Sequence, residues 1–188
     1  NLGSYTTGMA ASWTSITLPE LQKPDNSLGI PAMSENAAAW QGSSMAIGIL
    51  LSMLFVPYLS ELVGRRKTAI VGIYICTVSW LLKLFPVNGY FLLSSQLLIG
   101  MGDGLYSMTV PPYITEMASN KIRGRLGGLF ILSIKLGYLS TFVLNAFMSH
   151  RLLTACCLIA PVVQLVGMLF IPETPVYFIR KNQVEQAE

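Results

Sequence analysis

Charge is what this sequence lacks most. Of 188 residues only 11% are Asp, Glu, Lys or Arg, less than half the ~25% usual in soluble domains, which all but excludes a water-soluble globule. Histidine is nearly missing as well: His150 stands alone at a helix end. No HExxH, Cys/His cluster or nucleophile elbow is present, so a metalloenzyme or hydrolase has nothing to stand on, and neither enzyme activity nor a cofactor is expected. The three cysteines, Cys76, Cys156 and Cys157, all fall inside apolar stretches and read as small buried hydrophobes rather than a disulfide or zinc framework. A net charge of +3 is too small and dispersed for a nucleic-acid partner. The chain starts at Asn1 with no basic region before its first apolar stretch, so there is no signal peptide to read and the chain is expected to be a fragment.

What is present is apolar: 53% of the residues, with a mean hydropathy of +0.57. Apolar runs fall at about 2–18, 41–60, 68–87, 90–112, 126–149 and 152–171, each close to the ~17–25 residues that a tilted helix needs to cross a bilayer. Six transmembrane helices in an all-α membrane protein follow, with residues 172–188 opening a cytoplasmic loop. The first run is rich in Gly, Ser and Thr, as helices are where they pack closely or line a cavity. A polar loop separates it from the second, whose start Ser34 or Asn36 can cap. The GMGDG stretch at 100–104 has no preceding strand and reads as close helix packing rather than a dinucleotide loop.

Basic residues set the orientation. Arg65, Arg66, Lys67, Lys121, Arg123, Arg125, Arg180 and Lys181 follow the even-numbered runs, whereas the opposite side carries Lys23 and Arg151. The positive-inside rule then puts the even-numbered ends and the amino terminus in the cytoplasm.

Three ionisable residues lie inside the runs, at about 2.5–3.5 kcal/mol each if they sit at the bilayer centre. Lys83, near the outer end of the third run, is expected to snorkel to the interface. Asp103 and Lys135 fall roughly 16–24 Å from the inner surface on consecutive spans, near the midplane of a ~30 Å core. Two readings stand for them: a mutual ion pair, or the polar lining of an aqueous cavity.

The inner connections couple carboxylates to arginines: Glu61 with Arg65 and Arg66, Glu116 with Arg123, and Glu173 with Arg180. Their order, with Ala39-Trp40-Gln41-Gly42-Ser43, Gly64-Arg65-Arg66, Pro112-Tyr113-Ile114-Thr115-Glu116, Ile122-Arg123-Gly124 and Pro172-Glu173-Thr174-Pro175, resembles the sugar porters of the major facilitator superfamily. Within them it is most similar to the insect facilitated trehalose transporter type, over essentially the whole chain.

The resemblance implies the amino-terminal six-helix bundle of a twelve-helix transporter, built from inverted three-helix repeats and working by alternating access. Its partners would be the lipid bilayer, a small solute, most simply a sugar, and a second six-helix half. Glu61, Arg65, Arg66, Glu116, Arg123 and Glu173 would form a charge network holding the inner gate shut. Transport would be facilitated diffusion of trehalose or a hexose at the plasma membrane. The alternatives are a non-transporting sugar sensor or degenerate paralogue, and a transporter of a non-sugar, even anionic, solute. Departures from the family pattern motivate them: Gln96 and Val176 replace arginines, and Ile131 replaces a glutamine that bonds sugar hydroxyls. Lys135, one turn beyond Ile131, shares its helix face, so Asp103, Ile131 and Lys135 are the candidate cavity lining.

Overall fold

A computed structural model of the chain describes residues 2–26, 28–117 and 120–170, with side chains described outside 113–123. The described residues form six helices and no strand: α1 (Leu2–Leu21), α2 (Glu35–Val63), α3 (Arg65–Leu84), α4 (Gly89–Met117), α5 (Asn120–Phe147) and α6 (His150–Leu169). The chain is an all-α membrane protein, as its composition requires. By length and apolarity α2, α3, α6 and the part of α5 from Gly124 to Phe147 are candidate spans. The other two helices, α1 and α4, carry buried polar side chains along their length.

Local signals explain the boundaries. Ser34 has extended backbone (φ −67°, ψ 159°) and its Oγ accepts from the Ala37 N–H at 3.3 Å, capping α2 as a short hydroxyl at this position should. Gly64 separates α2 from α3 at φ +103°, a left-handed backbone that side chains with a Cβ avoid. The loop after α1 is less exposed than its polar composition suggests. Asn26 bonds both the carbonyl (2.7 Å) and the N–H (3.3 Å) of Ile30, and this turn drives Leu28 and Ile30 into the core.

Helix α1 packs on α5 and α6, α4 packs on α2 and α3, and α3 meets α6. Exchanging α1 with α4, α2 with α5 and α3 with α6 maps this pattern onto itself, so the bundle consists of two three-helix units. The glycines repeat the relation residue by residue. A Cβ on Gly8 would strike the Ile134 carbonyl and one on Gly137 the Tyr5 carbonyl; likewise Gly100 meets the Met45 carbonyl and Gly48 the Leu97 carbonyl. At each crossing each glycine faces the carbonyl three residues before the other. Because three helices reverse the chain direction, the two units are inverted, the arrangement common in transporters. The GMGDG stretch is therefore a packing element: Gly102 backs onto the Gly72 carbonyl and Gly104 onto Ser52.

The main core gathers Trp13, Trp80, Leu21, Leu92, Ile99 and Leu153; a smaller one joins Ala69, Ile73, Tyr106 and Val110. Large apolar side chains such as Leu54, Phe55 and Tyr58 on α2 and Leu139 and Phe142 on α5 stay exposed, which suits lipid or a second protein surface and not water.

Candidate functional site

A polar seam runs through the interior between α1 and α4. Thr7 Oγ1 donates to Asp103 Oδ1, and Gln96 Nε2 donates to Thr14 Oγ1 at 2.6 Å. The partners are seven residues apart on both helices, so each pair recurs after two turns on one face and the antiparallel helices meet in two rungs. Asp103 is 7% exposed and Gln96 fully buried. Gln96 Oε1 has no hydrogen-bond partner among the described residues. Tyr5 extends the seam to α5, its hydroxyl donating to Ser140 Oγ at 2.7 Å. A threonine hydroxyl beside a carboxylate can exchange hydrogen bonds with a hydroxylated solute, whereas the Gln96 carbonyl is enclosed in this conformation.

Asp103 and Lys135 do not form the ion pair that was one reading of them: none joins them within 4 Å. The reason is direction. Asp103 turns from α4 towards α1, whereas Lys135 lies on the exposed side of α5 with Nζ 5.8 Å from the Tyr138 ring centroid. Ile131, one turn earlier, is 61% exposed. Ile131 and Lys135 thus share an open face, with Asp103 set back behind α1.

Lys83 overturns the expectation that it snorkels. It is 1% exposed, its Nζ lacks a hydrogen-bond partner among the described residues, and it points inward over the indoles of Trp13 and Trp80. Two aromatic faces inside the bundle compete with the interface for the ammonium; Trp80 stands three residues before Lys83 in the sequence, but the approach of Trp13 from α1 was not visible there.

At the other end, Glu61 lies in the last turn of α2 and Arg65 and Arg66 open α3 across Gly64. Arg66 Nη2 donates to the Leu169 carbonyl at 2.8 Å and Nε to the Met168 carbonyl at 3.4 Å. It thereby satisfies the last carbonyls of α6, where a cation also suits the helix dipole. The side chains of Glu116 and Arg123 and the whole of Glu173 lie outside the described residues, as does the 172–188 segment. On the opposite face Lys23 pairs with Glu20 at 2.8 Å in an exposed turn, where screening leaves little net energy.

Sequence reasoning missed four of these features: the Thr7–Asp103 rung, the Thr14–Gln96 rung, the Arg66 cap and the enclosure of Lys83. The two rungs had a usable signal in the equal seven-residue spacing of Thr7 and Thr14 against Gln96 and Asp103, and Lys83 had a partial one in Trp80 three residues before it.

Comparison with known proteins adds a decisive observation: the family described as "Sugar (and other) transporter" matches residues 3–188. The chain belongs to that family. It is 30% identical over 187 residues to the facilitated trehalose transporter Tret1 of Drosophila virilis, covering 100% of this chain and 20% of that protein. To the mouse (Mus musculus) solute carrier family 2, facilitated glucose transporter member 8, it is 28% identical over 192 residues, covering 99% and 39%. The structure of the major facilitator superfamily proton:xylose symporter XylE superposes with a TM-score of 0.84 at 24% identity, over 99% of this chain and 46% of that one. The inward-open xylose transporter XylE from E. coli gives 0.82 at 25% identity, over 100% and 49%. The fold is thus that of a major facilitator bundle, and the chain spans less than half the length of each of these relatives.

Proposed function

We propose that the protein carries a sugar across the plasma membrane by alternating access, as facilitated diffusion of trehalose or a hexose. This chain then supplies the amino-terminal six-helix bundle, with spans near 2–18, 41–60, 68–87, 90–112, 126–149 and 152–171 and its amino terminus in the cytoplasm. The observation that carries the reading is the family match over residues 3–188 on an inverted-repeat bundle. In such bundles solute binds near the midplane against a second half, where the Thr7–Asp103 rung and Lys135, on the open face it shares with Ile131, offer hydrogen-bonding groups.

Glu61, Arg65, Arg66, Glu116, Arg123 and Glu173 form the inner latch in this reading. Charge pairs made in one state and broken in the other bias a two-state equilibrium by their energy difference. Ile131 cannot bond a sugar hydroxyl, so Lys135, with its three donors, takes over that role one turn away.

The test is uptake of radiolabelled trehalose and glucose into vesicles holding the full-length protein. Saturable flux with counterflow is expected, and Lys135→Met and Asp103→Asn, singly and together, should lower it. Binding without flux would make the protein a sensor. Unchanged uptake in all three variants would remove both residues from the cavity.

A further inference from the structure

Lys83 is buried without a carboxylate within 4 Å among the described residues, an arrangement that is costly unless something else stabilises the ammonium. Two aromatic rings face it, with the thiols of Cys76 and Cys157 also nearby. Nζ lies 4.3 Å from the Trp13 ring centroid and 4.9 Å from that of Trp80, both inside the ~6 Å range of a cation–π contact. The two centroids are 6.2 Å apart with the ring planes at 80°. These three distances close a triangle with an angle of about 84° at Nζ, so rings at 80° can both turn their faces to the nitrogen, the geometry that the ring quadrupole favours.

The site is built from three helices. Trp80 and Lys83 share a face of α3 at i and i+3. Trp13, on α1, is fully buried and held from α6: its Nε1 donates to Thr154 Oγ1 at 2.9 Å, and the His150 ring lies 5.4 Å away. The backbones of α1 and α3 scarcely approach each other, so long side chains must span the gap.

We propose that Trp13 and Trp80 form an aromatic cage that holds Lys83 as a charged ammonium inside the bundle, and that this contact ties the carboxy-terminal half of α1 to α3 and α6. Lys83 is then a positioning residue for α1, the helix that presents Thr7 and Thr14. The cage does not depend on which solute is carried.

Fluorination withdraws negative charge from an indole face with little change of shape. In the full-length protein, mono-, di- and trifluorotryptophan inserted at Trp13 or at Trp80 should therefore lower the apparent Tm stepwise, by about 2–4 °C over the series. The series should be flat in Lys83→Met and flat at Trp40, which is 60% exposed. A Tm indifferent to fluorination at Trp13 and Trp80, or an equal fall in Lys83→Met, would overturn the cage. If Lys83→Met does not fold, the Trp40 series decides: a slope equal to that at Trp13 overturns it equally.

Discussion

Removing the Thr7 hydroxyl should cost far more than removing the carboxylate it serves. Thr7 is the only hydrogen-bond donor to the Asp103 side chain among the described residues. In Thr7→Val the carboxylate stays buried and loses that bond, at about 2–3 kcal/mol for a hydrogen bond to a charged group. In Asp103→Leu the hydroxyl keeps a second acceptor, the Gly3 carbonyl at 3.2 Å, so the loss should stay near 1 kcal/mol. With both replaced by apolar groups of similar size, the double variant should return close to the original stability. Thermal unfolding of the detergent-solubilised full-length protein, twelve helices in the proposed reading, reads these differences at about 1–2 °C per kcal/mol. We expect Thr7→Val to fall by roughly 2–6 °C, Asp103→Leu by half of that or less, and the double variant to recover most of the loss. A Thr7→Val protein within a degree of the parent, or a double variant as weak as the sum of the singles, would refute the reasoning.

Gly100→Val places a side chain on the Met45 carbonyl and should destabilise by about 1–3 kcal/mol or more. Gly167→Ala meets nothing within 4 Å and should be neutral or gain up to about 1 kcal/mol; comparable losses in the two would contradict the crossing geometry. Arg66→Ala uncaps α6, so amide hydrogen exchange around 166–170 should quicken while α2 is unaffected. Unaltered exchange there would mean that the Met168 and Leu169 carbonyls need no cap.

Much of this protein was legible before its fold was known. The scarcity of charge and the repeated apolar runs required a helical membrane bundle, since backbone groups in lipid must be satisfied within the segment. Ser34 or Asn36 marked the start of α2, where Ser34 proves to be the cap, and the small residues of GMGDG marked a close crossing. Motif order from Ala39-Trp40 to Pro172-Glu173 pointed to the sugar porters, and the family match agrees. The polar loop after α1 read correctly as a loop, but the burial of Leu28 and Ile30 depends on a turn made by Asn26.

The charges inside the spans show where reading a chain stops. Their depth along a helix follows from counting residues, because the rise per residue is constant. Their direction does not, because it depends on what neighbouring helices present. Lys83 sits near a helix end in either case, and it turns inward because α1 brings Trp13 beside Trp80. Asp103 and Lys135 have opposite charge and similar depth, yet Thr7 takes Asp103 while Lys135 remains on the open side of α5. Composition and the length of the apolar runs alone determined that this chain is a bundle of helices in a membrane. Which polar groups meet inside it was decided only by tertiary packing, since a side chain's partner is a property of the space between helices and not of its own segment.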